Sequence, residues 1–127
     1  MIPLNVLVID DSAVMRAMIV KTLRMSGLHL GEIAHAANGV EALEVLDAVR
    51  IDLALVDINM PVMDGLELLT QIARRPYAHG LRTIVVSTEG SDPRIAAVRA
   101  FGAAFVRKPF SPEALRDVVL RITGVAA

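Results

Sequence analysis

Cysteine and tryptophan are absent from this 127-residue chain, tyrosine occurs once, and aromatic residues make up only 3% of it. Without cysteine there can be no disulfide, no thiolate zinc site and no thiol nucleophile, which accords with a reducing compartment. So few rings leave little surface on which bases could stack, and single-stranded nucleic acid is set aside as a ligand. Neither sign of charge prevails: thirteen Lys plus Arg stand against fourteen Asp plus Glu, a formal charge of -1. Bulk electrostatics therefore offer nothing to a polyanion. Long apolar runs are missing as well. The opening "MIPLNVLVIDD" carries no basic leader, and its apolar stretch is too short for a secretion signal or a membrane span. The expectation is a soluble cytoplasmic protein with no nucleic acid and no membrane among its partners.

What is present is aliphatic. Hydrophobic residues reach 54% and charged ones 21%, so the core is expected to be aliphatic and filled out by methionine. The length suits one domain over 1–127, with no linker, repeat or low-complexity segment to divide it. Five short apolar runs read as strands: "NVLVI" (5–9), "EIAHA" (32–36), "LALV" (53–56), "TIVV" (83–86) and "FVR" (105–107). The segments between them repeat every three or four residues. Met15, Met18, Ile19 and Leu23 form the first series, and Val40, Leu43 and Leu46 the second. The third is Leu66, Leu68, Leu69 and Ile72; the fourth Ile95, Val98 and Phe101; the fifth Leu115, Val118, Val119 and Ile122. Asp11 or Ser12 can cap the first helix, Asp92 before Pro93 the fourth, and Ser111 before Pro112 the fifth, with Gly27 and Gly124 where helices should stop.

Strict alternation of strand and helix implies an α/β fold: a doubly wound five-stranded parallel sheet with right-handed crossovers. The usual five-strand order for such a sheet is 2-1-3-4-5, which periodicity by itself does not select. Parallel strands end on one edge, and the deepest crevice lies beside strands one and three. Asp10 and Asp11 end the first strand, Asp57 the third, Ser87 and Thr88 the fourth, and Lys108 the fifth. Carboxylates gathered so closely repel one another, so either one retains its proton or a cation joins them. A divalent ion is the simpler solution. The ligands are all oxygens, which points to a hard ion, and Mg2+ suits a few carboxylates, a carbonyl and retained waters. Mg2+ in turn binds phosphoryl oxygens. With Lys108 as a point charge for phosphate, Asp57 becomes a plausible nucleophile toward an in-line phosphoryl donor, and Ser87 can hydrogen-bond the group once transferred.

Four stretches, "VIDDSAVMR", "LVDINMPVMDGLELL", "VVSTE" and "FVRKPF", stand in the order and spacing of a known family. Over essentially its whole length the chain resembles the CheY-like receiver domain of bacterial response regulators, in its stand-alone form, with a flavodoxin-like fold. The resemblance implies that Asp57 is the phosphoacceptor, that Asp11, Asp57 and the backbone carbonyl of Asn59 ligate Mg2+, and that Asp10 acts through a metal-bound water. It implies further that Lys108 contacts the phosphoryl group, and that the Lys108–Pro109 bond is cis. Ser87 and Phe105 match the pair that moves together on phosphorylation. Asn59 and Glu89 match positions that tune dephosphorylation. Thr88 departs from the pattern: a smaller residue is usual there, and its bulk would narrow phosphoryl access. The donor would be a sensor histidine kinase. Since the chain ends just after Gly124, output is expected through an effector protein at the face of the fourth helix, fifth strand and fifth helix.

A chemotaxis regulator acting on a flagellar motor switch is the leading expectation, with a phosphorelay intermediate or a kinase-regulating receiver as alternatives. A Mg2+-dependent phosphohydrolase of the haloacid dehalogenase type also uses Asp, Mg2+, Ser or Thr and Lys. It wants an Asp-x-Asp pair, however, and the second position here is Asn59. Self-phosphorylation and self-dephosphorylation are therefore the only catalysis expected. Simpler readings apply elsewhere: Asp64 as a turn former or cap for the third helix, Asp47 and Asp52 as solvated charges, and His29, His35 and His79 as surface or strand residues without ligand spacing.

Overall fold

In the computed structural model, which describes residues 3–58, 60, 62–88 and 92–124, every run of β-branched residues forms a strand and every periodic segment a helix. The elements are β1 (Leu4–Ile9), α1 (Ala13–Met25), β2 (Leu30–Ala36), α2 (Gly39–Ala48), β3 (Leu53–Asp57) and α3 (Gly65–Ala73). They continue with β4 (Arg82–Ser87), α4 (Asp92–Ala100), β5 (Ala104–Arg107) and α5 (Pro112–Thr123). All pairings are parallel and the strand order is β2-β1-β3-β4-β5. One element went unforeseen, a short 3-10 helix at Pro76–His79 between α3 and β4. Its sequence, "PYAH", is too brief to show a period.

Alternation along the strands divides the core in two. Leu7, Ile9, Ala54 and Val56 face α2 and α3, where they meet Leu43, Leu46, Leu68 and Ile72. Val6, Val8, Leu53, Leu55, Ile84 and Val86 face the opposite way, toward Ile19 and Leu23 of α1 and Leu115 and Val119 of α5. Such a sheet is covered on both faces, which is why its strands read as nearly unbroken apolar runs. Removing one of these leucines, Leu55→Ala for example, carries a loss of about 2–5 kcal/mol by the usual cavity effect. The core is aliphatic as expected, but methionine does not fill it. Met60 is buried, whereas Met18 and Met25 are exposed, as are Val40 and Phe101 from the periodic series. A helix lying on a sheet buries a narrower stripe than the three-and-four spacing allows, so the outer members of each series fall outside it.

Capping explains where the helices begin. Ser12, rather than Asp11, caps α1 by accepting from the Met15 N–H at 3.2 Å, which leaves the Asp11 carboxylate exposed. Asp64 caps α3 through the Glu67 N–H at 2.9 Å, and Ser111 caps α5 through the Ala114 N–H at 3.0 Å. The Lys108–Pro109 bond is cis. Asp52 is not simply solvated: it accepts the Asn5 N–H at 2.9 Å and so anchors the start of β1 beside β3. Asp47 is exposed, yet it accepts the Tyr77 hydroxyl at 3.1 Å and lies 3.6 Å from Arg75, tying the end of α2 to the 3-10 helix. No helix among the described residues is long and apolar enough to cross a membrane.

Burial first, and then the hydrogen bond and negative charge of Asp47, push the Tyr77 phenol above its ordinary value of 10.0. The folded state therefore holds this proton more tightly than the unfolded chain does. The stability that follows is complete below the unfolded value and is lost as pH rises through the folded one. Because Tyr77 is the only tyrosine and tryptophan is absent, tyrosinate absorbance should report it alone, titrating above 10 in the native protein. Tyr77→Phe should flatten the alkaline fall in unfolding free energy. An unshifted titration would mean that neither the burial of the ring nor the Asp47 contact persists in solution.

Candidate metal and phosphoryl site

Register determines what meets at the carboxyl edge of the sheet. Ile9 pairs with Val56, so Asp10 and Asp57 come next to one another on adjacent strands. Asp57 pairs with Val86, and Ser87 follows one residue on. Ser87 pairs with Arg107, which puts Lys108 just beyond it, and the Lys108 N–H donates to the Ser87 carbonyl at 2.9 Å. Adjacent strands lie about 4.8 Å apart, so the side chains of this edge form one continuous row.

Asp10, Asp11 and Asp57 each offer a carboxylate oxygen, and these oxygens lie within 4.8 Å of one another. Asp10 is buried, Asp57 half-buried and Asp11 exposed, so the group opens to solvent on the Asp11 side. A buried carboxylate is tolerated only when it is paired and hydrogen-bonded. Asp10 has both. One of its oxygens accepts the Ser12 N–H at 2.9 Å at the start of α1, and the other lies 3.3 Å from Lys108 Nζ. The lysine side chain reaches back across two strands to make that contact and is itself only 12% exposed. Arg16 adds a second cation, with Nη1 donating to the Asp10 carbonyl at 2.6 Å. No role had been expected of Arg16; the signal available was its place in "DDSAVMR", one helical turn beyond Ser12, where α1 turns it back toward Asp10.

Of the other expected residues, Ser87 is buried at the end of β4 beside Asp57 and Lys108. Phe105 is half-buried against Ile58, Leu69, Val85, Val98 and Ala103, the cluster under α4. Thr88 is exposed and lines a groove of about 260 Å³ with Met15, Met18, Ile19, Lys108 and Phe110. Asn59 and Glu89 lie outside the described residues. The donor set, three carboxylates without histidine or cysteine, fits a hard divalent cation of the Mg2+ type. Three like charges with two cations close by leave a net attraction for such an ion.

The profile of the family described as response regulator receiver domain matches residues 6–120. The chain is 43% identical over 115 residues to a protein-glutamate methylesterase/protein-glutamine glutaminase of Geobacillus kaustophilus, a match covering 88% of the chain and 32% of that enzyme. It thus spans about a third of the length of that relative. It is 33% identical over 123 residues to the chemotaxis protein CheY1 of Helicobacter pylori, covering 95% of the chain and 98% of that protein. Among solved structures, the chemotaxis protein CheY4 of Vibrio cholerae superimposes with a TM-score of 0.84 at 33% identity, over 95% of the chain and 99% of that structure.

Mutual repulsion of the carboxylates has a consequence that needs no ligand to observe. In EDTA at low ionic strength, Asp11→Asn should unfold at a higher temperature than the wild type, because one of three like charges is gone. With added divalent cation the wild type should catch up, since an ion that binds only the folded state stabilises it by mass action. Thermal scans with and without the ion would show this; equal midpoints in EDTA would mean that the group is not repulsive.

Proposed function

The chain belongs to the family of response regulator receiver domains, and from that premise we propose that its 127 residues form one phosphoacceptor unit in which Asp57 takes a phosphoryl group from a sensor histidine kinase. The observation that carries this reading is the group Asp10, Asp11 and Asp57, with oxygens within 4.8 Å, and Lys108 Nζ 3.3 Å from Asp10. Asp11, Asp57 and the backbone carbonyl of Asn59 would hold Mg2+. Both Asp10 oxygens are already engaged, by Ser12 and Lys108, which favours its acting on the ion through water. The ion supplies charge neutralisation around the transferring phosphoryl oxygens.

In the transfer, a carboxylate oxygen of Asp57 attacks phosphorus in line with the departing imidazole nitrogen. The P–N bond breaks as the P–O bond forms, the histidine nitrogen keeps the bonding pair, and an acyl phosphate results. Lys108 meets the added charge, and the Ser87 hydroxyl turns to donate to a phosphoryl oxygen. Thr88 restricts approach along the groove it lines, while Asn59 and Glu89 tune hydrolysis. Displacement of Ser87 frees space beneath β4, and Phe105 moves inward, altering the face of α4, β5 and α5 to which an effector binds. The Phe105 packing against Val85 and Val98 supports this, because it links strand end and helix through one cluster. On this reading the chain is a cytoplasmic signalling acceptor, and its catalysis is confined to its own phosphorylation and dephosphorylation.

A chemotaxis pathway is supported by the relatives named as chemotaxis proteins, and the effector proposed within it is the flagellar motor switch. The higher identity to a methylesterase, 43%, favours a second reading in which the receiver controls an enzyme instead.

With acetyl phosphate and Mg2+, the intact mass should rise by one phosphoryl group. Asp57→Asn or EDTA should abolish the gain, and Lys108→Ala should slow it by about a hundredfold, as expected for loss of one charge stabiliser. Gain of mass by Asp57→Asn at the same rate would overturn the assignment. For the output, a flagellar switch protein should be retained by the chain only with beryllofluoride and Mg2+. Retention of a methylesterase catalytic domain instead would favour the second reading.

A further inference from the structure

The loop between β3 and α3 follows directly on Asp57, and three contacts set its path. Met60 is 8% exposed and packs among Leu7, Ile9 and Leu68. At the base of the loop Gly65 approaches the strand end so closely that a Cβ there would stand 2.8 Å from Ile58 Cα and 3.0 Å from the Asp57 carbonyl oxygen. At its far side Met63 lies across the first turn of α2. A Cβ on Gly39 would meet Met63 Sδ at 2.6 Å and Met63 Cβ and Cγ at 2.8 Å. Between these anchors Val62 has φ 69° and is 80% exposed. A β-branched residue takes that left-handed conformation only under constraint. Being exposed, Val62 cannot supply the constraint through its own packing, so the anchoring of Met60 and Met63 must.

We propose that Gly39, which is outside the acidic group, is a positioning residue for it: by leaving room for Met63 it holds the loop that follows Asp57, and with it the metal and phosphoryl site, in place. The inference rests on the Mg2+ reading given above. Nothing in α2 itself calls for glycine at this position. Gly39 has no positive φ, Asn38 already caps the helix by accepting the Glu41 N–H at 2.9 Å, and alanine would ordinarily favour a helix over glycine. Nor can the thioether simply rotate away, because two of the three crowded atoms, Cβ and Cγ, belong to the stem of the side chain. Relief requires a backbone to move, and we take it to be that of Met63, with the loop, because the opposite side is a capped helix.

Magnesium titration by calorimetry of the full chain, as wild type, Gly39→Ala, Met63→Ala and the double variant, tests this. Gly39→Ala should weaken Mg2+ binding about three- to tenfold in the wild-type background, and by less than about twofold where Met63 is already alanine. A purely local role in α2 would leave the affinity unchanged. No weakening, or equal weakening in both backgrounds, would overturn the proposal. The ion-free amide resonances of residues 57–60 and 62–64 give a second readout: they should shift in Gly39→Ala and not when the same change is made in Met63→Ala. If Gly39→Ala fails to fold while the double variant folds, the clash is upheld; failure of both would overturn it. A wild type that binds no Mg2+ would overturn the phosphoacceptor reading instead, a distinct result, since the resonance test does not involve the ion.

Discussion

The structure depends on keeping a carboxylate, Asp10, buried beside two others at the end of a parallel sheet. Water would solvate that charge far better than the protein interior does. Lys108 at 3.3 Å and the Ser12 N–H at 2.9 Å offset the loss, and each comes from a different part of the fold. The lysine requires β5 to end where β1 ends. The N–H requires Ser12, the cap of α1, to stand two residues after Asp10. Both conditions hold only if the sheet keeps its register, which the two apolar layers on its faces enforce: a slip of one residue would turn Leu7 and Ile9 away from α2 and α3 and toward α1 and α5.

The same edge is continuous, through β4 and β5, with the cluster under α4. The Ser87 carbonyl accepts the Lys108 N–H at 2.9 Å, while Val85 and Phe105, paired across β4 and β5, pack with Val98 of α4. The strand that ends in Ser87 thus also carries residues that share a cluster with α4. Packed aliphatic layers shift between discrete arrangements rather than deform gradually, which suits a domain whose family works by signalling. On the other side of Asp57, the loop through Met60, Val62 and Met63 is pinned to α2 and α3. The acidic group therefore sits between the Ser87 end of β4 on one side and this anchored loop on the other.

Legibility in the sequence followed the physics of each feature. All five strands and five helices could be read, because burial on one face imposes a period that survives in one dimension. Boundaries were less certain: β2 starts at Leu30, earlier than "EIAHA" indicates, since its extension comes from pairing with β1 rather than from propensity. The helix faces were overestimated, with Met18, Val40 and Phe101 exposed. Asp52 reads in the sequence as a solvated charge, yet it holds the Asn5 N–H, a backbone contact that leaves no mark on side-chain patterning. Arg16 carries no sequence signal beyond its place in "DDSAVMR" for a similar reason, as its partner is the carbonyl of Asp10.

By itself the sequence determined the alternation of strands and helices, and it supplied the chemistry at each strand end: Asp10, Asp11, Asp57, Ser87 and Lys108 follow directly on apolar runs that must be buried. Distances were decided only in three dimensions. That the three carboxylates share a space of 4.8 Å, that Lys108 reaches Asp10 rather than solvent, and that Gly39 makes way for Met63 all follow from which strands are neighbours and which helix covers which face. Those are long-range outcomes of packing, and composition and period carry no record of them.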